Sequence, residues 1–214
     1  MLERSGAHAK ALADFENDRE LAEAMVKAEP DNIDAGTLLQ IANAHIAIEK
    51  FRLGRKDADV QPLNNAVAIG ERLYAANPAE HFYRNLLTGG YSYQGEIFFL
   101  TGQSGPALER YTKGIQMAES IAASDSDDLE SRLQIAKLHD TIGVVRAHSR
   151  EWDLARREFD SSEAGLRELL QSRPEDAEVL YASSLVKQHW TLLNSCTRTK
   201  MCRSTSWPLA SPII

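Results

Sequence analysis

Apolar residues recur along this chain at helical spacing. The clearest stretches run Leu133, Ile135, Ala136, Leu138, Ile142 and Val145, then Leu154, Ala155, Phe159, Leu166, Leu169 and Leu170. Steps of three and four positions place them on one stripe of a helix, and the alternation that a half-buried strand requires is nearly absent. The pattern predicts eight helices, over residues 6–28, 31–53, 60–76, 79–101, 105–123, 127–149, 152–172 and 175–193. Turns this short bring consecutive helices back against one another as antiparallel pairs.

The turns themselves repeat. Pro78 follows Pro30 at an interval of 48, Pro174 follows Pro78 at twice that interval, and the missing mark falls at Ser126 in the polar run Ser124–Asp128. Side-chain oxygens in that run can cap a helix where proline would preset φ. In the same register stand Ala11 and Phe15, Asp59 and Leu63, Ala107 and Tyr111, Ala155 and Phe159. Three of these four pairs are a small residue followed four positions later by an aromatic one. Ala47, Gly95 and Gly143 repeat at the same interval, as do Gly54, Gly102 and Arg150. The first set suits a close approach of two helices; the second suits the turn between them.

These units resemble the tetratricopeptide repeat, in which W-x2-L-G-x2-Y is followed by A-x3-F and then P over roughly 34 residues. Ile142-Gly143, Trp152, Ala155 and Phe159 carry the likeness in one unit; Tyr91, Gly95, Phe98, Gly102, Ala107 and Tyr111 carry it in the one before. Each helix is longer than the family pattern by seven positions, which is close to two α-helical turns and leaves the same face toward the same neighbour. Long-helix units of this kind are similar to arrays found C-terminal to the kinase domains of some bacterial serine/threonine kinases, although no kinase motif occurs here. The resemblance covers residues 6–193 and implies a right-handed α-solenoid of antiparallel helix pairs. Ala11 and Phe15 belong to the second helix of a unit, so the register opens in mid-repeat, and a fragment of a longer array or a truncated gene product is expected.

Charge narrows the partners. Residues 194–214 hold Arg198, Lys200 and Arg203 with no acidic residue, so the first 193 carry 21 basic against 31 acidic groups. An acidic body repels nucleic acid and anionic lipid. No stretch reaches the roughly 18 apolar residues that span a bilayer, and residues 1–8 show no signal-peptide run; a cytoplasmic location is expected. Residues 194–214, with two prolines and turn-leaning residues, are expected to be a disordered tail. Cys196 and Cys202 are the only cysteines and do not form a CxxC pair, so neither zinc nor a structural disulfide is expected.

Candidate chemistry is sparse. His8, His45, His81, His139, His148 and His189 show no metal-ligand spacing, and His139 and His148, nine apart, fall half a turn out of alignment. Gly89-Gly90-Tyr91-Ser92-Tyr93-Gln94-Gly95 is glycine-rich, but neither a preceding strand nor a following Gly-Lys-Ser/Thr supports a phosphate loop; close packing within a long helix fits it better. The carboxylates are scattered as surface charge, so no enzyme, no metal and no cofactor are expected.

Function is therefore expected from the surface. In the family that the units resemble, the first helix of each pair lines the concave face. That register implies a groove of Phe51 and Arg52, then Ser92, Glu96 and Phe99, then Lys137, Asp140, Val144 and His148, with Ala44, Ile48 and Leu100 alongside. Only Arg52 and Lys137 are basic, which suits a partly apolar peptide or partner protein better than a clamp on a C-terminal carboxylate. The rival expectation is a homodimer that buries Phe15, Leu21 and Met25 of the incomplete first unit.

Overall fold

A computed structural model describes residues 2–29, 32–55, 59–125 and 128–199. Pro30, Ser126, Cys202 and the rest of residues 200–214 lie outside the described residues. Among the described residues the fold is all-α: α1 (Leu2–Ala28), α2 (Ile33–Arg52), α3 (Gln61–Ala76), α4 (His81–Leu100), α5 (Ser104–Ser124), α6 (Leu129–His148), α7 (Trp152–Ser172) and α8 (Ala177–Thr199). The predicted helices are all present. The first begins earlier than expected and the last continues beyond residue 193 into the stretch expected to be a tail, because Leu193 and Cys196 are buried one turn apart and hold that turn against the core. Cys196 is also disulfide-bonded, which corrects the expectation drawn from its spacing.

The described residues fall into two compact units, one up to Gly102 and one from Gln103 onward. In the first, α1 packs on α2, α3 on α4, and α2 on both α3 and α4; in the second, α6 packs on α5, α7 and α8, and α7 on α8. Consecutive helices thus pair within each unit.

The helix ends explain the spacing. Gly54, Gly102 and Arg150 all adopt left-handed φ, at 68°, 78° and 64°. After α2 and α6 the two backbone bonds of a Schellman turn are complete: Gly54 N–H to Phe51 O and Arg55 N–H to Lys50 O, then Arg150 N–H to Ala147 O and Glu151 N–H to Arg146 O, all at 2.9 to 3.0 Å. Glycine takes this conformation without steric cost, whereas arginine carries a β-carbon into it.

The helix starts repeat as strictly. Asn32, Glu80, Asp128 and Asp176 each accept a backbone N–H of the first turn, from Ala35, Phe82, Ser131 and Val179 respectively. These four caps recur at the interval of the proline marks and stand two positions beyond them. Asp176 accepts from Val179 and Glu178, and these bonds hold its carboxyl below the usual range.

Close approach occurs where small residues were expected. A β-carbon on Gly143 would lie 2.4 Å from Cε1 of Phe159, and one on Gly90 would lie 2.7 Å from Cγ2 of Val67 and 2.8 Å from Nε2 of Gln40. The glycine-rich segment of α4 is therefore a packing surface within its unit, as its lack of loop context indicated.

Candidate functional site

The first helices of successive pairs meet through charged side chains. In the first unit Arg52 of α2 donates to Oε1 of Glu49 at 2.8 Å and, across to α4, to Glu96. The other oxygen of Glu49 lies 2.6 Å from Nδ1 of His8 on α1. Both glutamates are buried. Burial pushes the Glu96 carboxyl up, against the opposing pull of Arg52, and Glu49 adds to the rise.

Beside this cluster His45 stacks on Phe15, with ring centroids 4.3 Å apart and planes 6° from parallel, and lies 3.4 Å from the Tyr93 hydroxyl. Burial lowers the His45 pKa, with Glu49 opposing and Arg52 assisting, and burial raises that of Tyr93. A neutral imidazole accepts the phenolic O–H, so the pair is consistent in charge.

In the second unit Lys137 of α6 pairs with Glu178 of α8, and Asp140 lies 2.8 Å from Nδ1 of the buried His189. His189 in turn stacks on Phe159 at 5.8 Å and 24°. His139 meets Glu158 of α7 at 2.8 Å. Phe15 and His45 stand three periods before Phe159 and His189, so each unit contains the same contact between the second helix of one pair and the first helix of the next.

No known protein family, curated protein or solved structure matches this chain. The likeness to the tetratricopeptide repeat accordingly rests on the spacing of its own residues.

The groove residues expected from that likeness divide into two sets. Ser92, Glu96, Phe99 and Val144 are buried, as are Ala44 and Ile48. Ser92 donates to Thr88 O at 2.7 Å within its own helix. Val144 has no exposed surface, so its expected place on an open face is corrected: it is core. Phe51, Arg52, Lys137, Asp140 and His148 keep partial exposure, as does Leu100. The charged members of this second set hold internal partners: Arg52 holds Glu49 and Glu96, Lys137 holds Glu178, and Asp140 holds His189.

Glu49 and Glu178 complete these contacts and were not singled out by sequence; His8, His45 and His189 were weighed there only as metal ligands, and Tyr93 only as part of the glycine-rich segment. A signal existed for two of the contacts. Arg52 precedes Glu96 by 44 positions, and Lys137 precedes Glu178 by 41, which is one period less about one and about two helical turns. Opposite charges at those offsets face each other across successive first helices. Their chemistry is mutual neutralisation: Arg52 offsets the buried Glu96, and Lys137 pairs with the exposed Glu178. Among the described residues no group of three or more His, Cys, Asp or Glu side chains is arranged to hold a metal ion. Among them, too, no helix is long and apolar enough to cross a membrane.

Proposed function

We propose that this chain is a protein-interaction scaffold, a right-handed α-solenoid of regularly repeating helix pairs that binds a peptide or partner protein along its first helices and catalyses no reaction. The observation that carries the reading is the recurrence of the Phe15–His45 contact as Phe159–His189, three periods later. A chain that rebuilds one interface at a fixed interval presents a repeated outer surface, and arrays of this kind work by that surface.

The burial of Ser92, Glu96, Phe99 and Val144 narrows the binding positions to Phe51 and Arg52 on α2 and to Lys137, Asp140 and His148 on α6. Phe51 and His148 supply ring surface; Arg52, Lys137 and Asp140 supply charge that is already half-satisfied. A partner of mixed apolar and polar character fits this set. The likeness to arrays beside kinase domains makes the regulatory part of a larger bacterial signalling protein the natural context.

The test is photo-crosslinking in the native cell with a benzophenone amino acid at Phe51 or His148, and at exposed Glu175 as a control. A discrete adduct at the first two positions and none at the third supports the scaffold. Equal labelling at all three, or none, overturns it.

A further inference from the structure

Helix α1 meets α2 at two points that both involve histidine. His8 of α1 lies 2.6 Å from Oε2 of Glu49, and Phe15 of α1 stacks on His45 with ring centroids 4.3 Å apart. The His45 ring also meets Tyr93 of α4 edge-on at 5.2 Å, with Nε2 3.4 Å from the hydroxyl. His45 is thus enclosed from two neighbouring helices, and α1 supplies one wall. Among the described residues of α1 the buried apolar side chains are Leu12 and Ala22. Within its unit α1 packs on α2, whereas α2 packs on α3 and α4 as well.

We infer that acid releases α1 from α2: a proton on His45 opens the Phe15–His45 contact, while the remainder of the unit keeps its packing. Local openings of this kind occur where few buried contacts hold an element. The device needs no partner and does not depend on the scaffold reading.

With α1 in place, burial disfavours the charged imidazole, with Glu49 opposing and Arg52 assisting. Once α1 moves away Phe15 no longer covers the ring, water reaches it, and its affinity for a proton returns toward the ordinary value of 6.5. Protons therefore favour the released state, by at most about tenfold in the docking equilibrium for each pH unit between the ordinary value and the lowered one. The charges of the other helices are engaged elsewhere: Glu96 of α4 pairs with Arg52 across the α2–α4 contact, and Glu71 of α3 accepts from Tyr91 of α4. His8 is the opposing group, since a proton on it strengthens its pair with Glu49. Its side chain is 34% exposed and Glu49 is already compensated by Arg52, so water screens that gain.

Hydrogen exchange of the full chain, followed by mass spectrometry from mildly alkaline to mildly acid pH and expressed as protection factors, tests this. Protection of α1 is expected to fall on the acid side of pH 6.5, by at most about tenfold per pH unit, while that of α3 and α4 holds. His45→Gln, with circular dichroism confirming that it stays helical, is expected to remove the fall, and His8→Gln to leave or steepen it. A measurement on the wild type needs no variant: the His45 ring followed by NMR is expected to titrate below 6.5. Protection of α1 that does not vary with pH, a fall shared equally by α1, α3 and α4, a fall that persists in His45→Gln, or a His45 midpoint at or above 6.5 overturns the inference.

Discussion

Gly143 of α6 faces the ring of Phe159 of α7 at a distance that leaves no room for a side chain: a β-carbon would lie 2.4 Å from Cε1 and 2.6 Å from Cδ1. Both residues are buried, and Phe159 has no exposed surface. Helix propensity alone favours alanine here by about 1 kcal/mol, but overfilling a packed interior costs about 1–3 kcal/mol. Gly143→Ala is therefore expected to lower the urea midpoint. Gly105, whose β-carbon would meet nothing within 4 Å, is the control, and Gly105→Ala is expected to hold or raise it.

The turn after α6 runs through Arg150 at φ 64°, where the two equivalent turns have glycine. A left-handed arginine costs about 1 kcal/mol relative to glycine. Arg150→Gly should stabilise the protein by about that amount in thermal or urea unfolding. Gly102→Ala should destabilise it by a similar amount, and a loss on Arg150→Gly would contradict the account.

Arg52 stands between two buried glutamates. Arg52→Met leaves Glu49 and Glu96 without that cation, and uncompensated buried charge costs about 3–5 kcal/mol. The loss should be largest near neutral pH and shrink as the carboxyls protonate in acid. A loss that does not vary with pH would mean that packing, and not charge, is what Arg52 contributes.

Burial raises the Glu96 pKa above its ordinary value of 4.5 and lowers that of His45 below 6.5. A raised carboxyl contributes stability that is fully present below its ordinary value and lost as pH rises through the folded value. A lowered histidine contributes stability present above its ordinary value and lost as pH falls through the folded value. Glu96→Gln should therefore flatten the decline on the alkaline side of pH 4.5, and His45→Gln the decline on the acid side of pH 6.5. Urea midpoints measured from mildly acid to mildly alkaline pH read both slopes; parallel curves for wild type and variants would refute the assignment.

Asp128 accepts the Ser131 N–H at 3.1 Å and the Ser131 hydroxyl at 2.6 Å. Asp128→Ala removes this cap from α6, the helix that packs on α5, α7 and α8. A loss of about 1 kcal/mol is expected in unfolding experiments. A change within error would show that the turn is held by its backbone bonds alone.

The sequence by itself determined the helices and their interval. Steps of three and four between apolar residues specify a helix wherever they occur, and Gly54, Gly102 and Arg150 marked the turns because a left-handed residue must follow a Schellman end. Gly143 and Phe159 were legible for the same reason: a small residue and an aromatic at a fixed interval are what a close crossing needs. The capping positions Asn32, Glu80, Asp128 and Asp176 were equally periodic, but only the run that holds Asp128 was read as a cap, since the four side chains share an oxygen and not an identity. What only the tertiary structure decided is which face of each first helix is open. Helical spacing gives a residue's angle around its own axis, but the partner that covers that angle comes from a helix nearly a full repeat away in the chain. Hence Val144 proved to be core, and Arg52 and Lys137 proved to be held by Glu96 and Glu178.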